Sequence, residues 1–203
     1  MTSGTGRPAA LPFPLEWLTE PASSSVRDDG SLVVTSGPRT DWFADPQRTA
    51  EPKLDAPALL GRVGGDFLLS ARVTVDFAAT YDAGVLVVHV SDRVWAKLCF
   101  EYSPDREPTV VSVVTRDVSD DCNSFVVDGS TVWLRIARLG AAFAFHASTD
   151  GSRWSLVRHF GLDLEAEPSI GFLVQSPTGA GCTATFDRIA FEAARLADLR
   201  SGA

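Results

Sequence analysis

The chain has no surplus of positive charge: 18 lysines and arginines stand against 26 aspartates and glutamates, for a formal net charge of -8. That balance argues against nucleic acid or an anionic membrane as partner, since both call for basic density. No apolar run approaches the ~20 residues that a membrane-spanning helix needs. The opening residues lack a basic segment followed by an apolar stretch and a cleavage site, so the expected compartment is the cytoplasm. Cysteine is scarce: Cys99, Cys122 and Cys182 are odd in number and widely spaced, which supports neither a disulfide framework nor a C-x-x-C site. Helical periodicity is missing except between Phe191 and Arg200, where Ala194, Leu196 and Leu199 allow a short helix. There is no nucleophile elbow, and Gly61-Arg62-Val63-Gly64-Gly65 lacks the strand and helix of a phosphate loop. His89, His146 and His159 show no E-x-x-H pattern, so zinc or iron chemistry is not expected. No cofactor is expected either. A structural calcium is the one cation with oxygen ligands on offer, from Asp28-Asp29-Gly30 or from the acidic turn Asp117-Val118-Ser119-Asp120-Asp121, and neither has the spacing of a known calcium loop.

What the chain does have is a procession of short alternating segments separated by turn residues. After Ser31 to Thr35 come Phe67 to Phe77, Gly84 to Ser91, Val94 to Tyr102, Thr109 to Arg116, Thr131 to Arg138, Ala141 to Ser148, Trp154 to Phe160, Ser169 to Ser176 and Cys182 to Phe191. Asp41 to Pro46 reads as a loop, and Asp150-Gly151 marks a hairpin turn. Many strands and 203 residues predict one all-β domain, a jelly-roll sandwich of two large antiparallel sheets with a concave face. The expected organisation is a flexible leader over 1–10, the sandwich over 11–192 and a tail over 193–203.

The run from Val94 to Tyr102 is the most informative. Ala96, Leu98, Phe100 and Tyr102 suit a core, whereas Trp95, Lys97, Cys99 and Glu101 look the other way. That second face is too mixed for a core and too aromatic for plain surface, as a ligand-facing sheet would be. Applying the same facing rule elsewhere adds His89, Trp133, Arg135 and Gln175, with Asp41 and Trp42 from the loop. Rings beside charged and amide groups suit a sugar or polyol, or a small carboxylated metabolite held by Arg135 and Lys97. Glu101, Lys97 and His89 are the candidate catalytic groups. Plainer readings stand beside these: Trp133 and Trp154 as core aromatics, His89 as a satisfied sheet histidine, Cys99 as inert packing, and Lys97 and Glu101 as solvated charges about 13 Å apart along the strand.

The order Trp133-Leu134-Arg135-Ile136-Ala137-Arg138, Ser148-Thr149-Asp150-Gly151-Ser152-Arg153-Trp154, Gly171-Phe172-Leu173-Val174-Gln175-Ser176-Pro177 and Phe186-Asp187-Arg188-Ile189-Ala190-Phe191 resembles a concanavalin A-like family, domain of unknown function 1349, labelled after a regulation of enolase protein. The resemblance runs from about Leu11 to Phe191. It implies a jelly-roll sandwich similar to lectins, laminarinase-type glucanases and the accessory domain of some xylosidases, and it implies no activity. Retaining glucanases of this architecture carry Glu-x-Asp-x-Glu on one strand, where this chain has Lys97-x-Cys99-x-Glu101. Glycoside hydrolysis is therefore disfavoured unless another strand brings a carboxylate. Three readings follow: a module that binds a carbohydrate or small polar metabolite in its concave face, a role compatible with regulating a metabolic enzyme; an isomerase, cyclase or lyase on a sugar-like or natural-product substrate using Glu101 as general acid or base; and a sandwich that recruits a protein partner.

Overall fold

Alternation at a period of two produces strands, and the computed structural model, which describes residues 11–164 and 166–203, contains sixteen of them and no helix within those residues. In chain order they are β1 (Glu16–Thr19), β2 (Ser23–Val26), β3 (Leu32–Thr35), β4 (Trp42–Phe43), β5 (Lys53–Leu54) and β6 (Ala58–Arg62). The long central strands are β7 (Phe67–Val75), β8 (Ala83–Ser91), β9 (Val94–Tyr102), β10 (Pro108–Arg116) and β11 (Val118–Val126). The rest are β12 (Thr131–Leu139), β13 (Ala142–Ser148), β14 (Ser155–Gly161), β15 (Ser169–Gln175) and β16 (Thr183–Glu192). The leader expected over 1–10 lies outside the described residues.

Two seven-stranded antiparallel sheets form the sandwich. One, the pocket sheet, has the order β1-β6-β15-β8-β9-β10-β11, and the other, the back sheet, runs β14-β13-β12-β7-β16-β3-β2. Between them lies the main core, which includes Leu69, Leu86, Leu98, Phe100, Ile136, Phe145, Phe172 and Phe186. Burying side chains of this size contributes ~1.5–3 kcal/mol each. Ala96, Leu98 and Phe100 of β9 face this core as the alternation predicts, and β9 keeps its expected bounds.

Several expectations need correction. The acidic turn at Asp117 is only the hairpin bend, with Asp117 at φ 65°, and the residues after it form β11, an edge strand of the pocket sheet. An edge strand pairs on one side only, so it tolerates charged residues that hide its strand character. Gly61 lies within β6, and Trp42–Phe43 pairs with Lys53–Leu54, so neither segment is simply a loop. The short helix between Phe191 and Arg200 is absent. Instead Leu196 and Leu199 pack on Ala137, Ala144, Leu139 and Leu156, on the outer face of the back sheet. His146 Nε2 lies 2.8 Å from the Leu199 carbonyl and Arg135 donates to the Gly202 carbonyl, so the tail is tied down by its backbone as well.

Gly171 of β15 sits where β6 comes close, and a Cβ there would drive into the Leu59 carbonyl. Gly171→Ala is expected to destabilise the protein by about 1–3 kcal/mol through this clash. A thermal melt with a fall of less than about 2 °C would contradict that expectation.

Candidate functional site

The outer face of the pocket sheet carries a second apolar cluster: Val85 and Val87 of β8, Trp95 and Cys99 of β9, Val111 and Val113 of β10, and Leu173 of β15. Alternation dictates this, because residues of the opposite parity are used by the main core. The cluster is roofed by residues 40–56, a strap that crosses the sheet. Thr40 bridges to Ser176 beyond β15, Trp42 packs on Trp95 and His89 at ring-centroid distances of 5.7 and 5.4 Å, and the Ala44 amide donates to Ser119 Oγ at the β11 edge. Trp42 Nε1 donates to the Ala56 carbonyl at 3.1 Å, which closes the strap on itself.

Where the strap leaves the β15 end, a pocket of about 270 Å³ opens, lined by Asp41, Phe43, Tyr81, Lys97, Glu101, Val113, Asp121, Gln175 and Pro177. This is close to the small end of the ligand-pocket range, ~300–1,000 Å³. Register explains who meets whom. Asp121 of β11 pairs with Val113 of β10, which pairs with Lys97 of β9, so Asp121 and Lys97 share a row and a face. Two rows further along the same face, past Cys99, Glu101 pairs with Ala83 and Ala83 with Gln175, which puts the carboxyl and the amide on one row either side of β8.

Lys97 is 2% exposed, and its Nζ donates to Gln175 Oε1 at 2.8 Å and to Asp41 Oδ1 at 3.4 Å. Burial works against this ammonium, but the charges of Asp41, Cys99 and Glu101 outweigh it and hold the group above its ordinary value. Glu101 responds in the opposite sense. Burial pushes its carboxyl up to about 8, with Lys97 pulling down and Asp121 and Asp41 adding to the rise. Desolvation also raises Asp121, again against the pull of Lys97. Near neutral pH the pocket therefore holds the Lys97 ammonium beside a largely protonated Glu101 carboxyl. Cys99 is buried beneath, and burial raises its thiol well above the usual range, so it is not a nucleophile.

Of the residues expected from the sequence, the structure brings together Asp41, Lys97, Glu101 and Gln175. Trp42 and Trp95 are nearby but wholly buried, packed on each other as the roof and floor of the apolar cluster, so neither offers a ring to a ligand. His89 pairs with Trp95, beyond Lys97 and six residues along β9 from Glu101, and borders a separate depression of about 460 Å³ with Glu16, Arg62 and Ser169. It cannot act with Glu101. Trp133 and Arg135 lie on the back sheet, because β12 pairs with β7 and β13. There Arg135 stacks on Trp154, 4.1 Å from its ring centroid, under the C-terminal tail. Trp154 is half-buried on this outer face and so is not a core aromatic.

Sequence reading missed Asp121, Phe43, Tyr81 and Pro177. The signal for Asp121 was present in its parity with Val113, but only once β11 is recognised as a strand. The carboxylate partner that β9 itself lacks is supplied by β11 and the strap, as Asp121 and Asp41. Among the described residues, no group of three or more histidine, cysteine, aspartate or glutamate side chains is arranged to hold a metal ion.

Solved structures share this architecture. A functionally unknown protein from Saccharomyces cerevisiae superposes with a TM-score of 0.81 at 23% identity, over 89% of this chain and 96% of that one. A GH43 protein from Bacillus licheniformis gives 0.67 at 17% identity over 89% of this chain, which spans only 37% of that protein's length. The carbohydrate binding module CBM66 from Bacillus subtilis gives 0.56 at 14% identity, over 87% and 94% of the two chains. At such identities the likeness is one of fold. No curated protein matches the chain. The family model described as protein of unknown function (DUF1349) matches residues 17–194, which takes in both sheets and every residue lining the pocket, and the chain belongs to that family.

Proposed function

We propose that the Lys97 pocket binds a small polyol, a carbohydrate of about monosaccharide size, without transforming it. The observation that carries this reading is the buried Lys97 ammonium, fixed by Asp41 and Gln175 at the base of a small pocket whose walls include Phe43 and Tyr81. Hydroxyl groups need both donors and acceptors at fixed positions, and their carbon faces need aromatic or apolar walls. A carbohydrate ligand is also in keeping with the sandwich shared with a carbohydrate binding module. A carboxylated metabolite fits less well, since Arg135 is on the other sheet and Lys97 is already paired.

A thermal-shift screen of neutral sugars, polyols, phosphorylated sugars and organic acids tests this. A sugar or polyol is expected to raise the melting temperature of wild type, and the rise should disappear in Tyr81→Ala. Stabilisation by organic acids alone would overturn the reading.

One observation favours catalysis as a second reading: Glu101 has a carboxyl held near pH 8 beside two further carboxylates. A carboxyl that keeps its proton near neutral pH, with further carboxyl groups beside it, is the kind of arrangement general acid catalysis uses. On that reading, Glu101→Gln abolishes turnover of a bound sugar while its binding survives.

The same carboxyl makes stability depend on pH. Its folded value lies above its ordinary 4.5, so the folded state holds the proton more tightly, and this contribution is full below about pH 4.5 and lost as pH rises through about 8. Wild type should therefore lose on the order of 2 kcal/mol across that window, after discounting for partial exposure, and Glu101→Gln should flatten the profile. Denaturant melts at a series of pH values check it; equal slopes for the two proteins would refute it.

A further inference from the structure

We propose that the preferred ligand of the Lys97 pocket carries an amino group, making it a cationic polyol of the amino-sugar class rather than a neutral or acidic one. This ligand class rests on the polyol reading above and narrows it. Three carboxyls face the pocket, from Asp41, Glu101 and Asp121, against the single cation Lys97. Lys97 is already engaged, with Asp41 at 3.4 Å and Gln175 at 2.8 Å. Glu101 has no hydrogen bond or ion pair among the described residues. The nearby guanidinium of Arg158 is taken by Asp120 at 2.8 Å. Tyr81 is the one other titratable side chain in the lining, and Cys99 lies buried beneath.

The site therefore has unspent acceptors and more carboxyl groups than cations. An ammonium group satisfies both at once, since it brings three N–H donors and one positive charge and tolerates loose geometry. A divalent cation would need several oxygens at fixed short distances, and the described residues contain no such set. A phosphorylated or carboxylated sugar would meet like charge from Asp121 and gain nothing from a lysine that Asp41 already neutralises.

Proton balance gives this ligand a signature. When an ammonium approaches, Glu101 gives up its proton to the buffer and becomes the carboxylate partner of the new cation. A neutral sugar has no reason to displace that proton.

The test is calorimetric titration of the full chain at pH 6.5, below the Glu101 value of about 8, so that both the amine and Glu101 start protonated. The probes are glucosamine, galactosamine and mannosamine, each set against its neutral parent hexose, with gluconate as the acidic control. Running each in two buffers of different ionisation enthalpy counts the protons released. The expected result is that at least one amino sugar binds about tenfold tighter than its parent and releases close to one proton. Glu101→Gln should remove the proton release, and Asp121→Asn, at the open rim, should shrink the preference. If a neutral parent binds as tightly as its amino sugar, the amine inference fails while the polyol reading stands. If the amino sugars and their parents all fail to bind, both fail.

Discussion

Trp42→Ala is expected to be among the most damaging single changes in the protein, costing about 3–5 kcal/mol. The ring is wholly buried, packs on Trp95 and His89, and donates to the Ala56 carbonyl. Alanine would leave a cavity over the outer face of the pocket sheet and an unpaired carbonyl in the strap. At about 2–4 °C per kcal/mol, the melting temperature should fall by roughly 6–20 °C. Because Asp41 is the neighbouring residue, the loosened strap should also pull away from Lys97, so ligand binding should fall with stability. Phe43→Ala makes the contrast: Phe43 lines the pocket but lies outside the apolar cluster, so it should weaken binding and leave the melt nearly unchanged. A Trp42→Ala protein that melts within about 2 °C of wild type would show that the strap is held by other contacts.

Lys97→Met is the second large effect. Methionine keeps the length and apolar stem but removes the charge, leaving Asp41 and the Gln175 carbonyl oxygen without their donor. Removing one partner of a buried pair typically costs about 3–5 kcal/mol, mostly the penalty of stranding the other charge. Adding Asp41→Asn should therefore restore much of what Lys97→Met loses. Denaturant melts of wild type, both single variants and the double variant give the coupling directly. A double variant less stable than Lys97→Met alone would mean that the lysine acts chiefly through Gln175 or Glu101.

These two residues also show how far the sequence could be read. The alternation in β9 assigned Ala96, Leu98 and Phe100 to the main core and Lys97, Cys99 and Glu101 to the opposite face, and the structure agrees. The resemblance carried by the motifs around Trp133, Asp150 and Gly171 led to the right family. Which sheet a strand joins is another matter, because it depends on pairing over long sequence separations. Trp133 and Arg135 have the right parity for a site but sit in a strand between β7 and β13. Trp42 and Trp95 looked like ligand-facing rings because nothing in the chain announced that residues 40–56 fold over and bury them. Asp121 was legible only through a strand whose exposed edge position let it be mostly polar.

The strap also bears on how the protein reaches this state. Its partners are distant along the chain, with Trp42 and Trp95 separated by 53 residues and Ala44 and Ser119 by 75. Contacts of that separation are slow to form, because chain entropy opposes the closure of long loops. Until the strap docks, the outer face of the pocket sheet presents Val85, Val87, Trp95, Val111 and Val113 bare to water, a flat apolar surface on β-rich chain. A folding chain held at that stage exposes apolar surface of the kind that makes folding intermediates prone to associate. The tryptophan over this face is thus what takes that apolar surface out of water once the strap has docked.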